Sequence, residues 1–330
     1  MLILAKSALA LTLGFVLSIC VGLVVLPAMK RFNARQTVSN LINERHQLKN
    51  GTPTLGGLIF IIPPIIGILL LMFKGSIDMN YNLFIILFVF LSYGALGFYD
   101  DYVKIKYHNN AGLSVKVKFI LQVIIAVTFY YIYRTSGGTS TLAVSLFNFK
   151  VDLGHFYTLF ILFLLVGTTN AVNITDGLDG LCGGLSFLAF LAYAIIAWGS
   201  NWIFGYDTIA IFAFILCGSI LGFLLFNAHP AKIFMGDTGS LALGGALASI
   251  AILTHHEISL AIIGGVFVIE TLSSLIQIIA IRKFHKKVFL KAPIHHHFEE
   301  LGWTETDIVR VFYVVGFLLA MFGVIYGVWL

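Results

Sequence analysis

Two adjacent aspartates close the third apolar run of the chain, in the string GFYDDYVK, with Asp100, Asp101 and Lys104. Neighbouring carboxylates at a membrane boundary are costly to leave without a partner. Two chemistries suit them: Mg²⁺ ligation through hard oxygens or proton abstraction as a general base. A solvated helix end paired to Lys104 is the plainer alternative. A second acidic string, TTNAVNITDGLDGLCGG, holds Asn170 and Asn173 three residues apart, on one helix face. It also holds Asp176 and Asp179, again three apart, among glycines that let a backbone approach a ligand closely. A helix-packing turn explains those glycines but not the four amide and acid side chains. In the third string, FNAHPAKIFMGDTGSLALGG, Gly236, Asp237, Thr238, Gly239 and Ser240 open another apolar run. Asp237 or Thr238 there is either a plain helix cap or part of an anion site at a helix N-terminus. GTPTLGG, residues 51–57, opens a run in the same way.

Two further constellations are basic or buried. KAPIHHHFEE carries His295, His296 and His297 in a row. Consecutive helical residues point in different directions, so one ion is not chelated by all three. Phosphate hydrogen bonding or acid/base work is favoured over zinc, with a solvated basic loop as the alternative. In a later run Glu270, Ser273, Ser274 and Gln277 fall at i, i+3, i+4 and i+7, one helix face. An acid at that depth must face a cavity or another helix rather than lipid. The pattern GxxxxGK[ST] is absent from the sequence, so the chain is not a P-loop nucleotide hydrolase.

These residues sit in a chain built for lipid. Of its 330 residues, 59% are hydrophobic and only 11% charged, with a mean hydropathy of +0.98. Soluble domains carry roughly 25% charged residues, so a soluble enzyme of this length is excluded. Ten apolar segments are marked, near 7–29, 54–73, 82–99, 119–133, 155–172, 181–199, 207–226, 240–254, 258–281 and 308–330. They are continuously apolar, so helices are expected and not a barrel. Gly264 and Gly265 are candidate bending points in the ninth. The expectation is an all-α polytopic membrane protein, one domain over residues 1–330, with a retained first span. A short outer hairpin is expected within residues 134–154. Three cysteines, Cys20, Cys182 and Cys217, support neither a disulfide framework nor a zinc ribbon.

Orientation follows from the basic residues. Sixteen of the 20 Lys and Arg residues fall in one alternate set of loops, Lys49, Lys104, Lys116 and Lys118 among them. The positive-inside rule places that set in the cytoplasm and both termini outside. Every even-numbered span then starts on the cytoplasmic side, so several positive dipole ends face one compartment. The net charge of +5 follows topology and is no sign of nucleic-acid binding. The residues together describe a cytoplasmic-face membrane enzyme for a phosphorylated substrate held with Mg²⁺. A transporter is the reading from another class, but transporters place polar groups near the midplane, and only Glu270 lies deep. An intramembrane prenyltransferase is a third reading, but DDYVK lacks the final acid of a DDxxD-like site.

The strings KNGTPTLGG, DDYVK, GLSVKVKF, NAVNITDGLDGL, FNAHPAKIFMGDTGSL and KAPIHHHFE run through nearly the whole chain. The sequence resembles the phospho-N-acetylmuramoyl-pentapeptide transferase family. That family lies in the superfamily that transfers N-acetylhexosamine 1-phosphates to polyprenyl phosphates. The aspartate strings mark the superfamily, and PIHHHFE with GTPTLGG points to the muramoyl-pentapeptide branch. The alternative within the superfamily is a GlcNAc-1-phosphate transferase, against which the histidines argue. The resemblance implies a ten-helix fold with a cytoplasmic cleft in the bacterial inner membrane, and a homodimer. It implies that UDP-MurNAc-pentapeptide and undecaprenyl phosphate react with Mg²⁺ to give lipid I and UMP. Asp237 would ligate Mg²⁺, and Asp100, with Asp101 beside it, would activate the lipid phosphate. Asn173, Asp176, His295, His296 and His297 would line the cleft. Lys49, Asp179, Asn227, Phe234 and Gln277 would surround the uridine end, with Phe234 stacked on uracil. Lys104 and Lys116 would meet phosphates, and Gly236 belongs to the substrate-binding set.

Overall fold

The computed structural model describes residues 2–32, 51–107, 111–144, 149–199, 203 and 205–328. Lys49 therefore lies outside the described residues. The elements are α1 (Leu2–Arg31), α2 (Leu58–Phe73), α3 (Tyr81–Tyr107), α4 (Val115–Thr135), β1 (Thr141–Val144) and β2 (Phe149–Asp152). They continue as α5 (Phe156–Thr175), α6 (Leu181–Gly199), α7 (Tyr206–Asn227) and α8 (Gly236–Leu253). The last are α9 (Glu257–Ile263), α10 (Gly265–Phe284), α11 (Ile294–Glu300) and α12 (Glu305–Val328). Each of the ten apolar segments holds a helix. Among the described residues nine helices are long and apolar enough to cross a membrane, and α2, at 16 residues, is shorter. The chain is an all-α, multi-pass membrane protein. The ninth segment is broken at Gly264 into α9 and α10. The expected hairpin is present, with Thr141 opposite Asp152 and Val144 opposite Phe149.

α8 is the centre of the bundle, buried over nearly its whole length. Its sequence, GDTGSLALGGALASIAIL, is mostly small residues, which let neighbouring backbones come close where lipid gives no hydrophobic drive for helix association. α3 and α5 pack along it. At Gly97 of α3 an added Cβ would collide with the backbone carbonyl of Asp237, and at Gly244 one would meet Thr169 of α5 at 2.5 Å. α1 and α2 pack with α7, and Ser18 Oγ of α1 donates to the carbonyls of Ser219 and Ile59. The outward faces of α4, α10 and α12 remain apolar and exposed, as lipid contact requires.

Because the helices alternate in direction, one end of the bundle collects the C-termini of α3, α5 and α7 and the N-termini of α4, α6, α8 and α12. All the charged strings fall at that end. The hairpin lies at the other end, where Asn80 Nδ2, just before α3, bonds Thr208 Oγ1 of α7 and Tyr157 of α5 bonds Glu257 of α9. The cysteines are unbridged, as expected.

Candidate active site

Asp101 lies at the C-terminal end of α3 and points across to α8. Its Oδ1 accepts from the Asp237 amide at 3.1 Å, and its Oδ2 from the Thr238 amide at 2.9 Å and the Thr238 hydroxyl at 2.7 Å. No side chain of the α8 entry caps that helix. A carboxylate from a neighbouring helix satisfies its free amides instead, where the helix dipole favours negative charge. Gly236 makes this possible: its φ is +70°, and a Cβ there would collide with Asp101 Oδ2.

Capping fixes the direction of Asp237. Its Oδ2 accepts from Lys104 Nζ at 2.9 Å and Lys118 Nζ at 2.5 Å, and its Oδ1 from Asn173 Nδ2 of α5 at 2.7 Å. Asn173 Nδ2 also reaches Ser240 Oγ at 2.8 Å. Asp100 sits one residue from the cap on the open side. Its Oδ2 is 2.6 Å from Lys104 Nζ, and its Oδ1 accepts from the Leu113 amide at 2.8 Å. Three carboxylates thus surround the Lys104 ammonium, and one of them, Asp237, also holds Lys118. GTPTLGG, too, is drawn in, because Gly56 and Gly57 amides donate to the Phe234 and Met235 carbonyls at 2.8 and 3.0 Å. The Phe234 amide returns a bond to the Pro53 carbonyl at 2.8 Å, leaving its ring half-buried.

From this cluster a cavity of about 1000 Å³ extends between α4 and α5 to Thr271 of α10. Asp100, Lys104, Lys118, Asn173 and Asp237 line its charged end, while Val115, Phe119, Val123, Leu162, Phe163 and Val166 make the rest apolar. Phe119 and Phe163 are also exposed on the outer, lipid-facing surface. Asn170 braces the cavity wall by donating to Gln122 Oε1 at 2.9 Å.

A second group gathers Asp179 and Asn227. Asn227 Oδ1 accepts from the Gly180 amide at 3.1 Å and its Nδ2 donates to the Ile233 carbonyl at 2.9 Å. Asp179 Oδ2 accepts from the Ala231 amide at 3.0 Å and lies 3.1 Å from His229 Nδ1, while Glu305 Oε1 accepts from the Asp179 amide at 2.6 Å. Asp176 ends α5, between the two groups in sequence.

The histidine run points three ways, as its helical spacing predicts. His295 Nδ1 lies 2.9 Å from Glu270 Oε2, His296 Nδ1 2.5 Å from Glu299 Oε2, and His297 Nδ1 accepts from the Leu290 amide at 3.1 Å. Burial pulls the His296 imidazole below its ordinary value, with Glu299 opposing. Gln277 faces inward, but its amide is engaged by the 288–289 backbone. Its Oε1 accepts from Val288 and Phe289 at 3.0 and 2.9 Å, and its Nε2 donates to the Phe289 carbonyl at 2.9 Å.

The structure does not bring Lys116 to the aspartate cluster. It is exposed on α4, and Lys118 reaches Asp237 instead. Two residues along a helix turn a side chain about 200°, and that spacing is the signal that separates the pair. Thr238 and Ser240, read in the sequence as the opening of α8, join the first group, whereas His229 and Glu305 at the second are not singled out by the motifs. Thr238, Ser240 and His229 lie inside the quoted strings.

Inside a bundle of membrane helices, a cluster of acids and lysines stands at the head of an apolar cavity, an arrangement that suits a membrane-embedded transferase. Residues 83–255 match the sequence model of Glycosyl transferase family 4. Over 322 residues, 98% of both chains, the protein is 45% identical to a phospho-N-acetylmuramoyl-pentapeptide-transferase of Geobacillus sp. (strain WCH70). It is 46% identical to one of Bacillus subtilis (strain 168) over 318 residues, 96% of this chain and 97% of the relative. The chain belongs to the phospho-N-acetylmuramoyl-pentapeptide-transferase family.

Proposed function

We propose that the protein transfers phospho-MurNAc-pentapeptide from its UDP carrier to undecaprenyl phosphate, releasing UMP and forming lipid I. The observation that carries this reading is the cavity itself: apolar along α4 and α5, charged at its end. A polyprenyl chain fits the apolar part and a phosphate the charged end. The acceptor phosphate is already largely anionic near neutral pH, since its second pKa is about 6. It needs charge screening and alignment more than deprotonation. Lys104 and Lys118 supply positive charge, and Asp237 and Asp100 hold them in place. In the step, an acceptor phosphate oxygen bonds to the sugar-linked phosphorus. The bridging P–O bond breaks, and UMP leaves with its electron pair.

The donor set fits Mg²⁺. Asp100, Asp101 and Asp237 bring one carboxylate oxygen each within 4.8 Å of one another, and hard oxygens suit this ion. Lys104 Nζ, 2.6 to 3.6 Å from all three acids, stands where a cation is stabilised. Asp101 is committed to α8, so Asp100 and Asp237 are the residues that would hold the metal. Bound there, Mg²⁺ would neutralise diphosphate charge and stabilise the leaving phosphate. Asn173 orients Asp237, and the Asp179–Asn227 group frames the nucleotide end.

The basic asymmetry supports a site on the cytoplasmic side of a bacterial cell membrane. The homodimer implied by the family is a separate proposal, to be read from the mass of the purified protein in nanodiscs. Function is tested by supplying the purified protein with UDP-MurNAc-pentapeptide, undecaprenyl phosphate and Mg²⁺. UMP and lipid I should appear in equal amounts, and undecaprenol should not replace the phosphate. UMP release with undecaprenol would rule out a phosphate acceptor, and no release at all would rule out the reading.

A further inference from the structure

Glu270 and His295 form a pair that the reaction as described leaves unused. Both are fully buried, and Glu270 Oε2 meets His295 Nδ1 at 2.9 Å. Each has one polar atom left without a partner among the described residues, Glu270 Oε1 and His295 Nε2. Ser273 and Ser274 do not help the carboxylate, because their hydroxyls donate to the Glu270 backbone carbonyl, at 2.7 and 3.2 Å. A fully buried acid with half its capacity unmet is a destabilising choice for a membrane helix. A packing role alone would be served better by an apolar residue.

The far side of the imidazole shows what the pair does. A Cβ added at Gly177 would collide with His295 Nε2 and lie 2.9 Å from its Cε1. The ring therefore fills the space that Gly177 leaves by having no side chain. Gly177 lies in the α5–α6 turn, one residue after Asp176 and two before Asp179. A carboxylate bonded to one ring nitrogen fixes the ring's orientation and tautomer. Here it holds the other nitrogen against that turn.

We propose that Glu270 is a positioning residue for the nucleotide-sugar half of the reaction, acting through His295 to set the α5–α6 turn that carries Asp176 and Asp179. This rests on the transferase reading above. The acceptor side does not depend on it, since the charged end of the cavity is built by α3, α4, α5 and α8.

The test is steady-state kinetics with each substrate varied in turn. Glu270→Ala should raise KM for UDP-MurNAc-pentapeptide about tenfold and leave KM for undecaprenyl phosphate within twofold. Glu270→Gln, whose amide oxygen accepts the same bond, should restore the nucleotide KM to within threefold of wild type. Gly177→Ala should show the same split, and the double variant with Glu270→Ala should be no worse than the worse single variant. If Glu270→Ala does not fold, Glu270→Gln and Gly177→Ala carry the test alone. A fall in kcat with both KM values unchanged would overturn the proposal, as would a Gln variant as impaired as Ala or additive effects in the double variant. A wild-type protein that releases no UMP would instead overturn the transferase reading.

Discussion

Asp101→Asn separates holding α8 in place from chemistry at Asp237. The carboxylate accepts three bonds, at 2.7, 2.9 and 3.1 Å, from the first residues of α8, and it is only 2% exposed. An asparagine offers one oxygen and one amino group. Whichever way it turns, at least one α8 donor faces another donor. Losing one bond to a charged acceptor costs about 1.5–3 kcal/mol, and a buried donor left unmet costs about 1–3 kcal/mol. A total near 3 kcal/mol corresponds to a melting temperature lower by roughly 6–10 °C at a few degrees per kcal/mol. Asp237→Asn should behave differently. Its partners Lys104 and Lys118 are partly exposed and rehydrate when the charge is removed. Melting should then move by no more than about 3 °C, while the role proposed for Asp237 at the reacting phosphates predicts that turnover is abolished. Thermal unfolding in detergent, followed by tryptophan fluorescence beside UMP release, reads both effects. Equal melting of Asp101→Asn and wild type would refute the cross-helix cap. A larger loss of stability in Asp237→Asn would refute the division of labour.

Three further outcomes are expected. Lys118→Ala should lower turnover at least a hundredfold while Lys116→Ala stays within threefold; equal losses would contradict the contact of Lys118 with Asp237. In a variant lacking Cys20, Cys182 and Cys217, a cysteine at Ser136 should react with an impermeant probe from outside and one at Ala292 only after permeabilisation; the reverse would invert the orientation. For His296, burial favours the neutral ring in the folded protein. Its stability contribution is complete above the ordinary value of about 6.5 and is lost as pH falls below it. Melting should therefore drop between about pH 7.5 and 5.5, and His296→Gln should lessen that drop; an unchanged slope would show that His296 does not titrate there.

The spans were legible in the sequence because lipid allows few backbone solutions, so a long apolar run leaves little choice but a helix. The break at Gly264 and the hairpin were legible for similar local reasons. Glu270 could be read as needing a partner, since lipid makes an isolated acid untenable. That the partner is His295, 25 residues away, is a matter of tertiary packing that no spacing announces. The same holds for Asp101. Adjacent to Asp100, it looks like half of one acidic pair, and only the approach of α8 along Gly97 shows that Asp101 caps α8 while Asp100 accepts from Leu113, the two sharing Lys104. The i, i+3, i+4, i+7 stripe puts Gln277 on an inward face, but spacing carries no sign of the 288–289 backbone that takes up its amide. Lys116 and Lys118 contribute identically to a charge count, which carries no information about which side of α4 faces the site.

Direct attack by the lipid phosphate is tested most directly by isotope exchange. An aspartate that itself attacked would form a phospho-sugar enzyme and release UMP before any lipid bound. The measurement follows labelled UMP into UDP-MurNAc-pentapeptide, using protein shown to be free of polyprenyl phosphate. Direct transfer predicts no exchange until undecaprenyl phosphate is added, then exchange through reversal from lipid I. Exchange that persists without lipid and disappears in a single Asp→Asn variant would contradict direct transfer and identify the attacking aspartate.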